Sequence, residues 1–538
     1  MSTMAWRDAA IHGYSRRRRA GLLAAGLGTG LLIAGCSGSG AQSSTATGSA
    51  AAAASQDLTV GTATAPATLD PRKLDIGGGD SYYAELAYDA FLYNTPSNGF
   101  SPDLATSWHE IGTSNEEYVF QIRPNVKFSD GSTLTAQDAV NTITAERGSG
   151  TTCATTLTAL TSVTATGPLT VQLEYSAPQS PETVWESFSE NGMCGDVVGS
   201  KASGTQTDGT GPYMIDATDT ITGSKYVYVP NPNYWDKSLR RYKQVTLDVF
   251  SSITEELSAI KTGEVDFVSA NGPQAAAAAK TSGVTSYQAP FGTISLWLVD
   301  FNGKLVKALA SQKVRQALEY AINRPLLASE LYGGTATPND EITTAGYQGY
   351  VPSYSNYYTY NLAKAKSLLK QAGYPNGFTF TSIASADVGY EEISQAVASQ
   401  LAQIGVTDNL QQEPTHTEAV AALFSAKYPA FVWGFGAGSL ATGAPDLFGT
   451  QALFNPFHNS QPSLVSDVNS ANALSGAAAT KLYQQAEINN TQEAYEITVA
   501  DLNEVYLLRP GIVSNVEITG SSVLPYGPDI AFWMPPAK

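Results

Sequence analysis

Strand and helix signals alternate along this chain, and that alternation restricts it to a mixed α/β fold. LTVGTATAPATLDP (58–71) begins as a strand. YVFQIRPNVKF (118–128) alternates at period two through Tyr118, Phe120 and Ile122, and SDGS (129–132) turns the chain. Thr135 followed by Asp138 starts a helix over Gln137 to Glu146 in the manner of a capping box. VTLDVF (245–250) reads as a buried strand, and ITEELSAIKTGEVDFV (253–268) as a helix ending near Gly263, then a strand. SQKVRQALEYAINR (311–324) gathers Val314, Ala317, Leu318, Ala321 and Ile322 on one helical face. NLAKAKSLLKQAG (361–373) and YEEISQAVASQLAQIG (390–405) are helices that stop at glycine. Two more helical stretches are expected over about 475–508, then strand character in IVSNVEI (512–518). With 538 residues and 43% hydrophobic composition, the chain has enough apolar material for more than one lobe.

Residues 1–35 read as a targeting segment. Arg16 to Arg19 form a basic region, and Ala20 to Gly35 is an apolar run too short and glycine-rich for a comfortable membrane span. The run ends in IAGC (33–36), a lipoprotein-type cleavage pattern that would leave Cys36 as a lipidated N-terminus. An ordinary secretory peptide is the alternative, and the paired arginines leave Sec and twin-arginine export both open. Residues 36–56, rich in Ser, Ala and Gly, fit a flexible tether. Removing residues 1–35 takes the formal charge from −18 to −22, which argues against nucleic acid as a partner. Cys153 and Cys194 then remain, and in an oxidising compartment they most simply form one disulfide; two free buried thiols are the alternative.

No active site is legible, so no enzyme, cofactor or metal is expected. His109, His416 and His458 have no partners at metal-ligand spacing. There is no G-x-S-x-G elbow, and DGTGPY (208–213) lacks the Lys and Ser/Thr of a phosphate loop. Glu116/Glu117 and Glu255/Glu256 are adjacent pairs that face different ways. Carboxylates brought together by folding leave a secreted hydrolase as the reading of another class. FVWGFGAGS (431–439) is the most suggestive stretch: bulky side chains up to Trp433, then Gly434, Phe435, Gly436, Ala437 and Gly438. Either Trp433 is plain core, or its indole beside glycines is a flat wall that a ligand can approach.

Read in order, several blocks resemble the bacterial extracellular solute-binding protein family 5, the dipeptide, oligopeptide and nickel receptors of ABC importers. They are TLDP (68–71), PDLATSWHEIGTSNEEYVFQIRPNVKFSDGSTLTAQDAV (102–140), GTGPYMI (209–215), VPNPNYW (229–235), LSAIKTGEVD (257–266), VDFN (299–302), QKVRQALEYAINR (312–324), AKSLLKQAGYPNG (365–377) and QLAQIGV (400–406). The resemblance implies a two-lobe periplasmic-binding-protein fold of the cluster C type with an extra inserted domain. Lobe I would be 57–91, 209–297 and 510–538; the insert, domain II, would be 92–208; lobe III would be 298–509. Crossings near 297–302 and 508–511 would form the hinge, and ligand would bind between lobes I and III. Asp266 and Arg315 would hold the lobes together.

By the same resemblance Trp433, Gly434, Phe435 and Gly436 would line the ligand site. Peptide receptors of the family often carry an Asp three residues after this aromatic, where this chain has Gly436; Asp446 is the next acid downstream. Tyr82, Tyr83 and Asp80 would sit in the lobe I loop facing the cleft, with Trp297 and Asn302 flanking the hinge. No arginine occurs between Pro325 and Leu508 to meet a peptide carboxylate. The tyrosine-rich YVPSYSNYYTY (350–360) reads as a loop packed on lobe III. The expectation is a monomeric lipoprotein, anchored to the outer face of the cytoplasmic membrane. It would capture a small solute, a peptide first and an oligosaccharide or metal chelate as the alternative, for an ABC permease and ATPase. A sensor lipoprotein is a third reading.

Overall fold

The computed structural model describes residues 56–537 except 64, 75–80, 95–98, 150, 191–193, 239–240, 271, 281–282, 346, 387–389, 415, 436–439, 441–443, 445–446, 451, 453 and 517–528. The targeting segment, Cys36 and almost all of the tether lie outside the described residues, as do Asp80, Gly436 and Asp446.

Local signals act where expected. The helix Ala136–Arg147 opens with the Asp138 carboxylate accepting from the Thr135 backbone N–H at 2.9 Å and from its hydroxyl at 2.6 Å. Ile253–Thr262 closes at Gly263, whose φ of +79° is left-handed. The Asn361 side chain accepts from the Lys364 N–H to start Leu362–Gln371. The helical expectation over 475–508 holds only for Gly476–Glu493; Glu496–Leu508 is a strand. Asp501 and Glu504 lie on this strand, and both are buried. The strand is covered on both faces, so the alternation that marks a half-exposed strand is missing. IVSNVEI carries no strand over 512–516, and its remainder lies outside the described residues.

Among the described residues one mixed sheet holds eleven strands. Its order runs Gln411–Glu413, Ser382–Ser385, Ala430–Phe435, Thr285–Trp297, Glu496–Leu508, Phe267–Ala270, Asp57–Thr62, Gln244–Val249, Lys225–Pro230 and Tyr213–Ile215, with Ala336–Pro338 also on Glu496–Leu508. The two 13-residue strands at its centre pair antiparallel along their whole length. The chain crossings expected near 297–302 and 508–511 are thus preceded by long strands. Thr285–Trp297 changes register against Glu496–Leu508 between Pro290 and Gly292, and from Thr293 onward it also pairs on its other edge with Ala430–Phe435.

A separate antiparallel sheet, Ala105–Glu110, Glu117–Ile122, Thr170–Tyr175 and Leu160–Gly167, lies wholly within 92–208. It has a core of its own around Phe91, Phe120, Ile143 and Phe188. Cys153 and Cys194, both buried in that core, are joined in a disulfide, Cα–Cα 5.3 Å.

GTGPY works by close approach. The Gly211 N–H donates to the Ala87 carbonyl at 3.0 Å, and the Tyr213 N–H to Leu86 O at 2.9 Å. A Cβ on Gly209 would stand 2.1 Å from Ala87 O, and one on Gly211 2.5 Å from the Ala87 carbonyl carbon. Backbone, unlike a side-chain tip, cannot swing aside. Gly211→Ala should therefore cost about 1–3 kcal/mol in urea unfolding; an unchanged midpoint would show that the two segments separate freely.

Of the two side chains expected to hold the lobes together, Asp266 accepts from the Thr59 N–H at 2.9 Å and from Arg509 Nη1 at 2.8 Å, tying three distant segments. Arg315 donates to Leu309 O and to Glu493 O, linking parts of 298–509 to one another.

Candidate functional site

The strand Ala430–Phe435 sets the geometry around Trp433. It pairs antiparallel with Thr293–Trp297, placing Trp433 opposite Ser295 and Phe431 opposite Trp297. Successive side chains point to opposite faces. Ala430 and Val432 enter the core beside Leu318 and Val397, while Phe431 and Trp433 enter another with Trp297 and Leu423. On that second face the rings form a continuous aromatic group. Trp297 stacks on Phe431 at 6.2 Å and meets Phe435 edge-on at 4.9 Å. Trp433 lies 6.1 Å from Phe431, 6.2 Å from Phe454 and 6.3 Å from Tyr390. Phe454 in turn meets Phe435 edge-on at 4.8 Å.

Trp433 is 8% exposed, whereas Gly434 and Phe435, next along the strand, are half-buried. So the strand moves from core toward accessible space as the glycines begin. Trp297 is buried, and its indole Nε1 has no hydrogen-bond partner; neither has the hydroxyl of Thr293, opposite Phe435. Buried donors are normally satisfied, so these two are the polar groups here that a solute would satisfy.

The other predicted residues are dispersed. Tyr82 and Tyr83 lie on the short helix Ser81–Glu85 in a different core. Tyr82 packs edge-on against Phe267 at 6.0 Å, and burial pushes its hydroxyl well up from its ordinary range. The hydroxyls of Tyr83 and Thr62 are hydrogen-bonded at 2.9 Å, and its ring meets Tyr226 at 5.0 Å. Asn302 donates to Asn459 Oδ1 at 2.6 Å; Asn459 donates to Val299 O and so fixes the turn after the long strand. Tyr354, Tyr357 and Tyr358 of the tyrosine-rich loop pack on one another, with Tyr358 buried and its hydroxyl donating to Thr491 O. Thus Trp297, Trp433, Gly434 and Phe435 come together, whereas Tyr82 and Tyr83 belong to another cluster. Phe454 and Tyr390 were missed. Phe454 sits in FNPFHN, an aromatic and amide-rich run whose composition was the available signal.

An open groove of about 650 Å³ lies elsewhere, lined by Arg123, Asn125, Lys127, Trp235 and Lys237 among others, and contains none of the predicted residues. The aromatic group, with its unpartnered donors and glycine-bearing strand, remains the better candidate for a solute. It offers flat apolar walls and hydrogen-bond donors, and the rings themselves supply no acid or base.

A statistical model of the bacterial extracellular solute-binding proteins, family 5, matches residues 99–449, well over half of the chain. The chain belongs to that family. Among curated relatives it is 32% identical over 211 residues to the glutathione-binding protein GsiB of Escherichia coli O6:K15:H31, an alignment covering 38% of this chain and 39% of GsiB. The chain therefore spans about two fifths of the length of the curated relatives it matches. Its fold is that of two-lobe binding proteins. AgaA of A. tumefaciens R10, solved with agropinic acid, superposes with a TM-score of 0.73 at 20% identity, covering 89% of this chain and 98% of AgaA. DppA of Helicobacter pylori, solved with the peptide STSA, gives 0.73 at 18% identity, with 89% and 98% covered. Membership in an extracellular family makes this an exported protein. The described residues contain no helix long and apolar enough to cross a membrane.

Proposed function

We propose that this chain is a non-enzymatic receptor that captures a small solute by lobe closure and delivers it to an ABC permease and its ATPase. Family membership supports the class. The observation that carries the site is the aromatic group of Trp297, Phe431, Trp433 and Phe435, with a buried indole N–H lacking a partner. The lobe division is proposed as 57–91, 209–297 and 510–538 against 298–509, with 92–208 inserted. Cys36 is proposed as the lipid anchor. A peptide is the first solute class, because relatives include a glutathione-binding protein and a receptor solved with a peptide. A non-peptide solute is the second reading, favoured by Gly436 where peptide receptors often carry an acid. An unpaired peptide ammonium would be costly to bury, and AgaA was solved with agropinic acid.

The test is thermal unfolding against di- to pentapeptides, oligosaccharides and metal chelates. A ligand at a hundred times its dissociation constant stabilises by about 2.7 kcal/mol. Trp433→Ala should abolish the shift, and Trp433→Phe, which keeps an aromatic face, should weaken it. A full shift in a folded Trp433→Ala protein would remove Trp433 from the site. A shift only with sugars or chelates would replace the peptide reading. Recovery of the bound solute as a cleaved product would replace the receptor with an enzyme.

A further inference from the structure

A second group of side chains lies apart from the aromatic site, where the segments around Asp89, Asp103 and Glu190 meet the Tyr234–Trp235 pair. One carboxylate oxygen from each of Asp89, Asp103 and Glu190 falls within 4.8 Å of the others. Asp89 and Asp103 are 0% and 2% exposed. Asp89 Oδ2 accepts from Trp235 Nε1 at 2.9 Å. Asp89 Oδ1, Asp103 Oδ2 and Glu190 Oε2 are buried and make no hydrogen bond of normal geometry, although the Thr210 hydroxyl acts on Asp89 and Glu190 interacts with both Asp103 and Asp529. The Tyr234 hydroxyl, also buried and without a partner, lies in the field of these same three acids. A fourth acid, Asp529, acts on all three from the C-terminal segment.

The opposing charge is insufficient. Arg123 and Arg241 act on Asp103 and Asp89 respectively. Arg123, however, gives its Nε and Nη2 to the backbone oxygen of Asp103, at 3.1 and 3.0 Å, and lies over the Trp235 ring at 4.0 Å. Four acids thus face two guanidinium groups, so ionisation of all four would leave two negative charges uncompensated. Bare buried carboxylates are very costly; either protons or a divalent cation must neutralise them. Oxygens converging from separate segments, with a neutral hydroxyl beside them, form the donor set of a hard cation.

We propose that Asp89, Asp103 and Glu190 bind a hard divalent cation of the calcium type. The donor set is all oxygen, which disfavours zinc and copper, and it is assembled from separate segments, which suits the variable coordination of calcium better than the strict octahedron of magnesium. Such an ion would clamp 81–103 to the segment that carries the Cys194 disulfide. The open groove lined by Arg123, Tyr234 and Trp235 is linked to the cluster by the Trp235 indole, which donates to Asp89. Glu146, Cys153 and Cys194 also converge, but the two sulfurs are bonded to each other and offer no thiolate.

The test uses the full chain stripped with EDTA and dialysed against radioactive calcium, with thermal unfolding measured in parallel. One calcium per chain and a raised melting temperature are expected, with a smaller response to magnesium. Asp103→Asn should weaken binding at least tenfold. Should that variant fail to fold, Glu190→Gln, at the less buried edge of the cluster, should do the same while remaining folded. Two results would overturn the proposal: no stoichiometric calcium at millimolar concentration, or affinity unchanged in Glu190→Gln. Neither depends on the identity of the solute.

Discussion

Arg324→Met should lower the unfolding free energy by about 3–5 kcal/mol, the usual cost of stranding a buried charge. The Arg324 guanidinium is buried together with both of its anionic partners, Glu319 and Asp340. Its Nη2 pairs with Glu319, and its Nε lies 2.6 Å from Asp340 Oδ1 and donates to Thr498 O at 2.6 Å. Asp340 accepts from the Tyr358 N–H as well, so one arginine joins a helix, the tyrosine-rich loop and the central strand. Burial pushes the Glu319 carboxyl up to about 8 against the pull of Arg324. Without the arginine it should rise further. The deficit of the variant, read from urea midpoints, should then be smaller at pH 5 than at pH 8. Adding Glu319→Gln and Asp340→Asn should recover part of it. A triple variant no more stable than Arg324→Met would place the cost in lost packing instead of orphaned charge.

Stability of the parent protein should itself fall as pH rises from about 5 to 8. Burial holds Glu256 up at about 8, with Glu504 adding to it, and Glu341 at about 9, with Glu487 adding to it. Burial also lifts Asp501 to about 7, against the hydrogen bonds from Asn339 and Thr344. For each of these groups the folded value lies above the unfolded one, so the folded state keeps a proton that the unfolded chain has released. Folding is then coupled to proton uptake throughout this window. Below the unfolded carboxyl range the groups contribute no difference; above it stability declines until pH passes each folded value. One net proton corresponds to about 1.4 kcal/mol per pH unit. Urea midpoints at pH 5, 6.5 and 8 measure this directly. A flat profile would mean that the buried carboxyls ionise without penalty, and a rising one would reverse the sign of the coupling.

Both predictions concern groups that no local pattern announced. Glu319 and Arg324 sit in QKVRQALEYAINR, where they look like ordinary helix-surface charges. They are buried because Asp340, Tyr358 and Thr498 arrive from three other parts of the chain. The same applies to Asp89, Asp103 and Glu190. In the aromatic group, Trp433 stood out as a candidate because glycines follow it. Its grouping with Trp297 did not, since the two are brought together by the pairing of Phe431 with Trp297 in the sheet.

What the sequence determined by itself is what short-range physics controls. The Thr135–Asp138 cap, the Asn361 start and the glycine stop at Gly263 each depend mainly on a few neighbouring residues and a simple steric rule. The order of the family blocks carried the fold class. Tertiary structure decided the rest: that Glu496–Leu508 is a strand, that Asn302 anchors a turn, and that Tyr82 and Tyr83 enter a core separate from Trp433. The reason is common to all three. A strand covered on both faces loses its alternation, and a polar or aromatic side chain acquires its role from partners hundreds of residues away, which no local window contains.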